Sequence, residues 1–414
     1  MMRRPLHPQS LRVAALAAVA LAAVALAACP RPAAAQGPSA RAEPRSVAAA
    51  VTDTLRSVLD AGVRNRAFPG AFAVVGNHAG ILATYGAGHL DWDPSPRPDA
   101  HTMWDLASLT KVVGMTSAMM QLVDEGRVSL DAPVQRYLPE WTGPHKAQVT
   151  VRNLLTHTSG LPAFRAYDRI TTNADSIAAL MMAEPLVALP GTRYVYSDIG
   201  AYLAGKIVER VSGQRLDRYL AAHVFGPLGM DETMYNPPAA LVPRIAPTEV
   251  DPRRGGKLRG KVHDERAYYL GGISAHAGLF STGADLARLA ELYLNGGALG
   301  AVRLFRPQTV IEFTTVQDRA LSNRALGWEK PNGTNSAGHF MTEAAFGHTG
   351  FTGTSIWIDP AQDLFIILLT NRVDPTRANS KIGGVRIAVA DAVETAMSRR
   401  GALAGAPAAP GRAK

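Results

Sequence analysis

The chain reads as an α+β protein in which strands from both ends enclose a helical block. Three observations carry that reading. Short β-rich runs lie near residues 71–85 and again near 354–370, segments with helical apolar spacing fill the middle, and no internal repeat is present. With 414 residues, 47% of them apolar, the chain can bury a large core. In order, a helix is expected over Val47–Arg64, with Val51, Leu55, Val58 and Leu59 on one face and Pro69-Gly70 beyond its end. Ala71–Val75 and Gly80–Tyr85 follow as a hairpin around the turn Gly76–Ala79, and Asp91–Asp99 reads as a Pro/Asp-rich loop. Residues 109–125, 150–156, 175–183, 199–212, 214–225 and 284–294 have helical spacing. Thr354–Ile358 and Leu364–Thr370 are strands around the turn Asp359–Gln362, and a last helix runs from about Lys381 to Arg399. The expectation is one interleaved unit over 46–400, with its sheet part at about 46–105 and 295–400, its helical part at about 106–294, and a site where the two meet.

The amino terminus has the pattern of an export signal. Arg3, Arg4 and Arg12 precede the run Val13–Ala28, built almost wholly of Ala, Val and Leu, which is too short and Ala-rich for a good membrane span. Residues 1–28 are therefore read as a signal peptide, 29–45 as an Ala/Pro/Arg-rich tether, and 401–414 as a ragged tail. The single cysteine, Cys29, closes Leu26-Ala27-Ala28-Cys29, which resembles a bacterial lipobox, so lipidation of Cys29 and a membrane-anchored envelope location are expected. Cleavage after Ala33-Ala34-Ala35 would instead give a soluble secreted protein. The formal charge of +9 is scattered rather than clustered, so no nucleic-acid partner is expected.

Three short segments carry chemistry. Ser108-Leu109-Thr110-Lys111 places an amine one helical turn from a serine hydroxyl, which is a weak nucleophile until a neighbour assists it. Trp104–Ala107 reads as a loop, placing Ser108 at the helix start, where unpaired amides favour an oxyanion. Tyr194-Val195-Tyr196-Ser197-Asp198 offers a phenol that can shuttle a proton when an ammonium lies nearby. Gly347-His348-Thr349-Gly350-Phe351 precedes a strand and allows close backbone approach to a ligand. Each segment alone has an ordinary reading: a capping Ser with a solvent Lys, an aromatic pair on an extended stretch, and a Gly-rich turn.

Their order and surroundings together resemble the serine β-lactamase-related family: class C β-lactamases, D-Ala-D-Ala peptidases and related esterases. That family uses S-x-x-K, then Y-x-N, then K-T-G or H-T-G. Leu154–Leu161, Pro227–Met230 and Gly271–Thr282 also look like stretches from it, and the resemblance covers roughly residues 47–399. It implies an α/β sandwich, an antiparallel sheet flanked by helices with an all-helical subdomain beside it. It also implies acyl transfer through a serine ester, with no metal or organic cofactor. Carried over by position, it implies Ser108 as nucleophile, Lys111 as the group lowering its barrier and Tyr196 as base or shuttle. The amides of Ser108 and Phe351 form the implied oxyanion hole, and His348, Thr349 and Gly350 line the substrate site with Asp198.

Two departures stand out. Asp198 occupies the usual Asn position, where an anion cannot donate to a substrate carbonyl; it can pair with Lys111 or bind a cationic substrate group. His348 replaces the Lys of most β-lactamases, making that positive charge conditional on pH. No G-x-S-x-G elbow occurs, Ser159 reads as part of a turn, and Val262-His263-Asp264-Glu265 with His276 fits no standard zinc spacing and reads as a polar loop away from the cleft. The expected function is an exported serine hydrolase acting on peptidoglycan-type D-amino-acid peptides. The alternatives are a short-chain carboxylesterase or weak β-lactamase with the same residues, and a non-hydrolytic sensor of β-lactams or wall fragments.

Overall fold

The computed structural model describes residues 46–399 and residue 401. The signal peptide, Cys29, the tether up to residue 45 and the tail beyond residue 401 lie outside the described residues.

The first helix, Val47–Arg64, starts where the Ser46 side chain accepts from the Ala49 amide, and it buries Val51, Leu55 and Leu59 along one stripe. It packs beside the last helix, Ile382–Ser398, against one face of a five-stranded sheet. Across that sheet the strands run Phe346–Thr349, Ser355–Asp359, Leu364–Thr370, Gly70–Asn77 and Gly80–Gly88, all pairings antiparallel. Ala71, Ala73 and Val75 point to the helix pair, while Phe72 and Val74 point the other way into a second, larger core. The same alternation divides Leu364, Ile366 and Leu368 from Phe365, Ile367 and Leu369. Because both faces are covered, these strands read as continuous apolar runs rather than alternating ones.

The segments expected to be helical are helical, with bounds moved by a few residues: Ser117–Asp124, Val151–Leu155, Ala174–Ala183, Asp198–Ser212, Leu216–Leu220 and Gly283–Leu294. A wide turn of helix, Lys111–Thr116, precedes the first of these and is wholly buried. The helix Gly283–Leu294, read above with the helical block, packs on the inner face of the sheet. Several short elements went unread, among them a helix and a strand. Pro307–Thr314 is a helix of 8 residues opening on a proline. Trp104–Asp105, read as loop, is a strand of 2 residues paired with Phe280 and Ser281. Neither is long enough to show a period, and the partners of the strand lie far along the chain.

The strand Phe346–Thr349 ends the row of five strands, and on its outer side Gly347 exchanges both backbone hydrogen bonds with Glu329, at 2.8 and 2.9 Å. Its Gly347 is required by packing: an added Cβ would lie 2.3 Å from the Trp357 ring and 2.4 Å from the Ile356 carbonyl oxygen. Gly347→Ala should therefore cost about 1–3 kcal/mol and displace the strand. Urea denaturation measures the first effect, and a fall in hydrolysis larger than the fraction unfolded measures the second; unchanged stability would remove the packing argument.

Candidate active site

Ser108 follows a sharp corner. Ala107 has a φ of 45°, a left-handed conformation that a non-glycine residue holds only when its surroundings impose it. Asp105 supplies the constraint, accepting the Ala107 amide at 2.8 Å through one oxygen and the His263 amide at 2.6 Å through the other. The Asp105 and Leu106 carbonyls are gripped in turn by the Thr352 and Thr354 hydroxyls, at 2.6 and 3.1 Å. The corner that presents the serine is thus tied to the loop after His348-Thr349-Gly350. Gly350 makes that contact possible, since a Cβ there would sit 2.4 Å from the Leu106 oxygen.

Lys111 is buried, and its ammonium donates to Ser108 Oγ at 3.0 Å, the His276 carbonyl at 2.9 Å and Asp198 Oδ1 at 2.8 Å. Burial alone would pull its pKa down. The Asp198 carboxylate, with Tyr196 beside it, more than reverses that and holds the lysine above its ordinary value. Burial likewise pushes Asp198 upward, but Lys111 and Arg266 outweigh it and hold the carboxyl well below the usual range. Lys111 is therefore a cation donating to the serine oxygen, suited to stabilising an alkoxide there. Both Asp198 oxygens are committed, one to Lys111 and one to Arg266 at 2.6 Å. Of the two uses open to Asp198 the structure has the ion pair with Lys111, and the carboxylate also lines the cleft.

The Tyr196 ring lies 4.9 Å from the Lys111 nitrogen and between two imidazoles, 4.5 Å from His157 and 5.8 Å from His348. Its hydroxyl is buried and has no hydrogen-bond partner among the described residues. Burial, reinforced by the Arg324 and Lys111 cations, holds both His157 and His348 well below the usual histidine pKa. His348 is therefore neutral at neutral pH, which corrects the expectation of a pH-dependent cation at that position. Its Nδ1 donates to the Thr349 carbonyl at 2.8 Å, leaving Nε2 as a buried lone pair without a partner among the described residues.

Two lobes of one cleft meet at Ser108, Tyr196 and Phe351. The first is lined by His348, Thr349 and Gly350 with Arg324, Arg372 and Arg386. The amides of Ser108 and Phe351 donate to no protein acceptor among the described residues, as an oxyanion site requires. The Gly350 carbonyl, which shares a peptide with the Phe351 amide, accepts from Gly353 at 3.0 Å and from Arg386 at 2.8 Å. A peptide whose oxygen is so bonded has a more polar N–H, so Arg386 strengthens that donor from behind. Arg372 fixes the next carbonyl, that of Phe351, at 2.9 Å.

The second lobe is lined by Asp198, His263, Asp264, Glu265, Arg266 and His276 together with Phe164. The loop at Val262–Glu265, expected away from the cleft, is part of it, because Asp105 holds the His263 amide. Spacing along the chain gave no sign of this contact. Arg324 and Arg386 were likewise unread, each a lone polar residue without a motif, and His157 was read only as part of the family-like stretch Leu154–Leu161, with no role at the site.

A family model described as Beta-lactamase matches residues 55–390. A Salmonella schwarzengrund (strain CVM19633) protein whose name proposes a D-alanyl-D-alanine carboxypeptidase is 34% identical over 319 residues, covering 69% of this chain and 73% of that one. Among solved structures, a penicillin-binding protein homologue from Caulobacter crescentus aligns with a TM-score of 0.69 at 22% identity over 85% of this chain and 98% of that one. A hydrolase with promiscuous acyltransferase activity aligns with a TM-score of 0.68 at 20% identity over 83% and 98%. The protein is a serine hydrolase with an antiparallel sheet flanked by helices. It belongs to the β-lactamase family, and it shares its fold with a penicillin-binding protein homologue.

The two neutral imidazoles set a pH dependence. Their pKa values are lowered from 6.5 by folding, so below about pH 6.5 the unfolded chain takes up protons that the folded one refuses, and stability is lost as the pH falls. The melting temperature should drop between about pH 7 and 5, and His348→Gln should flatten that drop. An equal drop in the variant would show that His348 charges as easily folded as unfolded.

Proposed function

We propose that the protein is an exported carboxypeptidase that cleaves the terminal residue of peptidoglycan-type D-amino-acid peptides. The observation that carries this is the charge of the first lobe. Three arginines line it, and among the described residues Glu329, 3.7 Å from Arg324, is the only carboxylate paired with any of them. Arg324 Nη1 and Arg386 Nε are buried with no partner among the described residues, and burial with the neighbouring Arg372 lowers Arg386 to about 10. Such a lobe suits a terminal carboxylate, which would supply the missing acceptors. The name of the Salmonella relative supports the same substrate class.

In this reading Ser108 Oγ attacks the carbonyl carbon as its proton passes to the Tyr196 oxygen, and the Tyr196 phenol gives its own proton to the nitrogen of the scissile bond. The Ser108 and Phe351 amides hold the oxyanion, while Lys111 remains a cation beside the oxygen that was the serine hydroxyl. Collapse breaks the C–N bond, the nitrogen protonated through Tyr196 leaves as the amine, and the terminal amino acid departs from the arginine lobe. Water then hydrolyses the serine ester with Tyr196 in the reverse role, releasing the shortened peptide. Peptidoglycan peptides lie outside the cytoplasm, so this reading includes export and anchoring through lipidated Cys29. Attachment of the enzyme by residues 29–45 would keep it at the envelope.

An ester-cleaving reading is favoured by one feature. With both its oxygens on cations, Asp198 cannot donate to an acyl amide as the family's Asn would. Short acyl esters make no such demand and require less protonation of the leaving group.

Three measurements test these readings. Ser108→Ala should lose about 10³-fold or more in turnover and form no penicillin adduct by intact mass. Peptides ending in D-Ala-D-Ala should be cleaved faster than their C-terminal amides, and Arg324→Ala should erase most of that preference, on the order of ten- to hundredfold. Equal rates on acid and amide would overturn the carboxypeptidase reading and leave the esterase. Cys29→Ser should release the protein from membranes; retention there would end the anchoring proposal.

A further inference from the structure

Beyond the three motifs, the polar groups of the second lobe close into a ring. Lys111 donates to Asp198 Oδ1 at 2.8 Å, and Asp198 Oδ2 accepts from Arg266 Nη2 at 2.6 Å. The same Nη2 donates to Asp264 Oδ2 at 3.0 Å, and Asp264 Oδ1 accepts from His276 Nε2 at 2.9 Å. The His276 carbonyl then accepts from Lys111 at 2.9 Å, which closes the circuit. Four segments distant in sequence contribute: the turn of helix holding Lys111, the start of the helix Asp198–Ser212, the short helix Glu265–Tyr269 with Asp264 as its N-cap, and the turn before Leu279–Ser281.

Such a ring is not explained by stability. Arg266 is 1% exposed, and its Nε and Nη1 have no partner among the described residues. Buried ion pairs recover their desolvation cost only with good geometry and satisfied donors, and an apolar replacement is commonly as stable. Two stranded nitrogens make this network expensive, and such expense beside a reactive group points to a functional cause. What the ring achieves is geometric. Asp198 has two equivalent oxygens and its own rotamers; Arg266 takes one oxygen and leaves the other on Lys111.

We propose that Arg266, itself fixed by Asp264, is a positioning residue that orients Asp198 and so sets both the aim of the Lys111 ammonium at Ser108 and its charge. This rests on the reading of Ser108 as nucleophile and Lys111 as its partner, and extends it to a residue outside all three motifs. The charged and titratable groups facing Lys111 are Asp198 and Tyr196 from the segment around the helix start, His157 from the turn after Val151–Leu155, and His348 from the edge strand. His276 faces it from the turn before Leu279–Ser281, and Arg266 and Asp264 from the short helix. Of these, Asp198 alone is both ionised and bonded to the ammonium. Removing the Arg266 cation leaves Asp198 to Lys111 alone, so the lysine holds its proton more tightly. Removing the Asp198 charge does the opposite.

The test is a double-mutant cycle with Arg266→Gln, Asp198→Asn and their combination, followed by pH–rate profiles on a p-nitrophenyl ester, with Ser108→Ala beside them. The limb that reports Lys111 should move up by about one pH unit in Arg266→Gln and down by a similar amount in Asp198→Asn. Arg266→Gln should lower kcat by about tenfold or more with KM changed by less than about threefold, and should cost much less when Asp198 is already Asn. Arg266→Lys, which keeps the charge, should return the limb most of the way. Additive losses with an unmoved limb would mean Arg266 merely supports the fold, and would overturn the proposal. Should Arg266→Gln alone not fold, the combined variant, which removes cation and anion together, and Arg266→Lys carry the same comparison of limbs. Turnover surviving in Ser108→Ala would instead bring down the reading on which the proposal rests; dead Ser108→Ala with unmoved limbs brings down the proposal only.

Discussion

An ammonium that is 1% exposed must place all three of its hydrogens on acceptors, and at Lys111 those acceptors come from three parts of the chain. One is the serine on the same turn, one a backbone carbonyl just before Leu279–Ser281, and one the carboxylate that opens the helix Asp198–Ser212. Leaving any of them out strands a charge in a site shielded from water, at a cost of several kcal/mol. The helical region and the segment leading into Phe280 and Ser281, paired with Trp104–Asp105, are joined at this point. The serine corner inherits its position from that junction through Asp105, which ties Ala107 to His263.

Electrostatics divide the cleft. On one side of Ser108 the lining is arginine-rich and nearly without carboxylates; on the other, cations and anions alternate and largely cancel. The nucleophile sits at the boundary, so the two ends of a bound substrate would meet different fields. The side chains between them are Tyr196 and two imidazoles, His157 and His348, and the nearby Lys111 and Arg324 cations oppose a proton on either ring.

How much of this was readable depended on whether the signal was local. Ser108 and Lys111 lie one turn apart, and Gly347–Gly350 sit at the entry to a strand, so short windows reveal them. Trp104–Asp105 as a strand, and Val262–Glu265 as a cleft wall, are consequences of pairing with Phe280 and Asp105 far away, which no window contains. Arg324 and Arg386 show the same limit, since an arginine between ordinary neighbours looks like a solvated surface group until the fold buries it. Charge state was the other blind spot. His348 reads as a titratable switch from its residue type, but two nearby cations and burial keep it neutral.

The Gly350 carbonyl has an implication for where sensitivity to change should lie. It is held by Arg386, whose helix, Ile382–Ser398, rests with Val47–Arg64 on the face of the sheet turned away from the catalytic serine's helical surroundings. Packing faults in that outer layer would be transmitted through one guanidinium to the amide opposite the nucleophile. The remote shell and the reacting centre therefore share a mechanical link, through which enlarging the small outer-layer residues Ala71, Ala73 or Ala390 would reach chemistry they never touch.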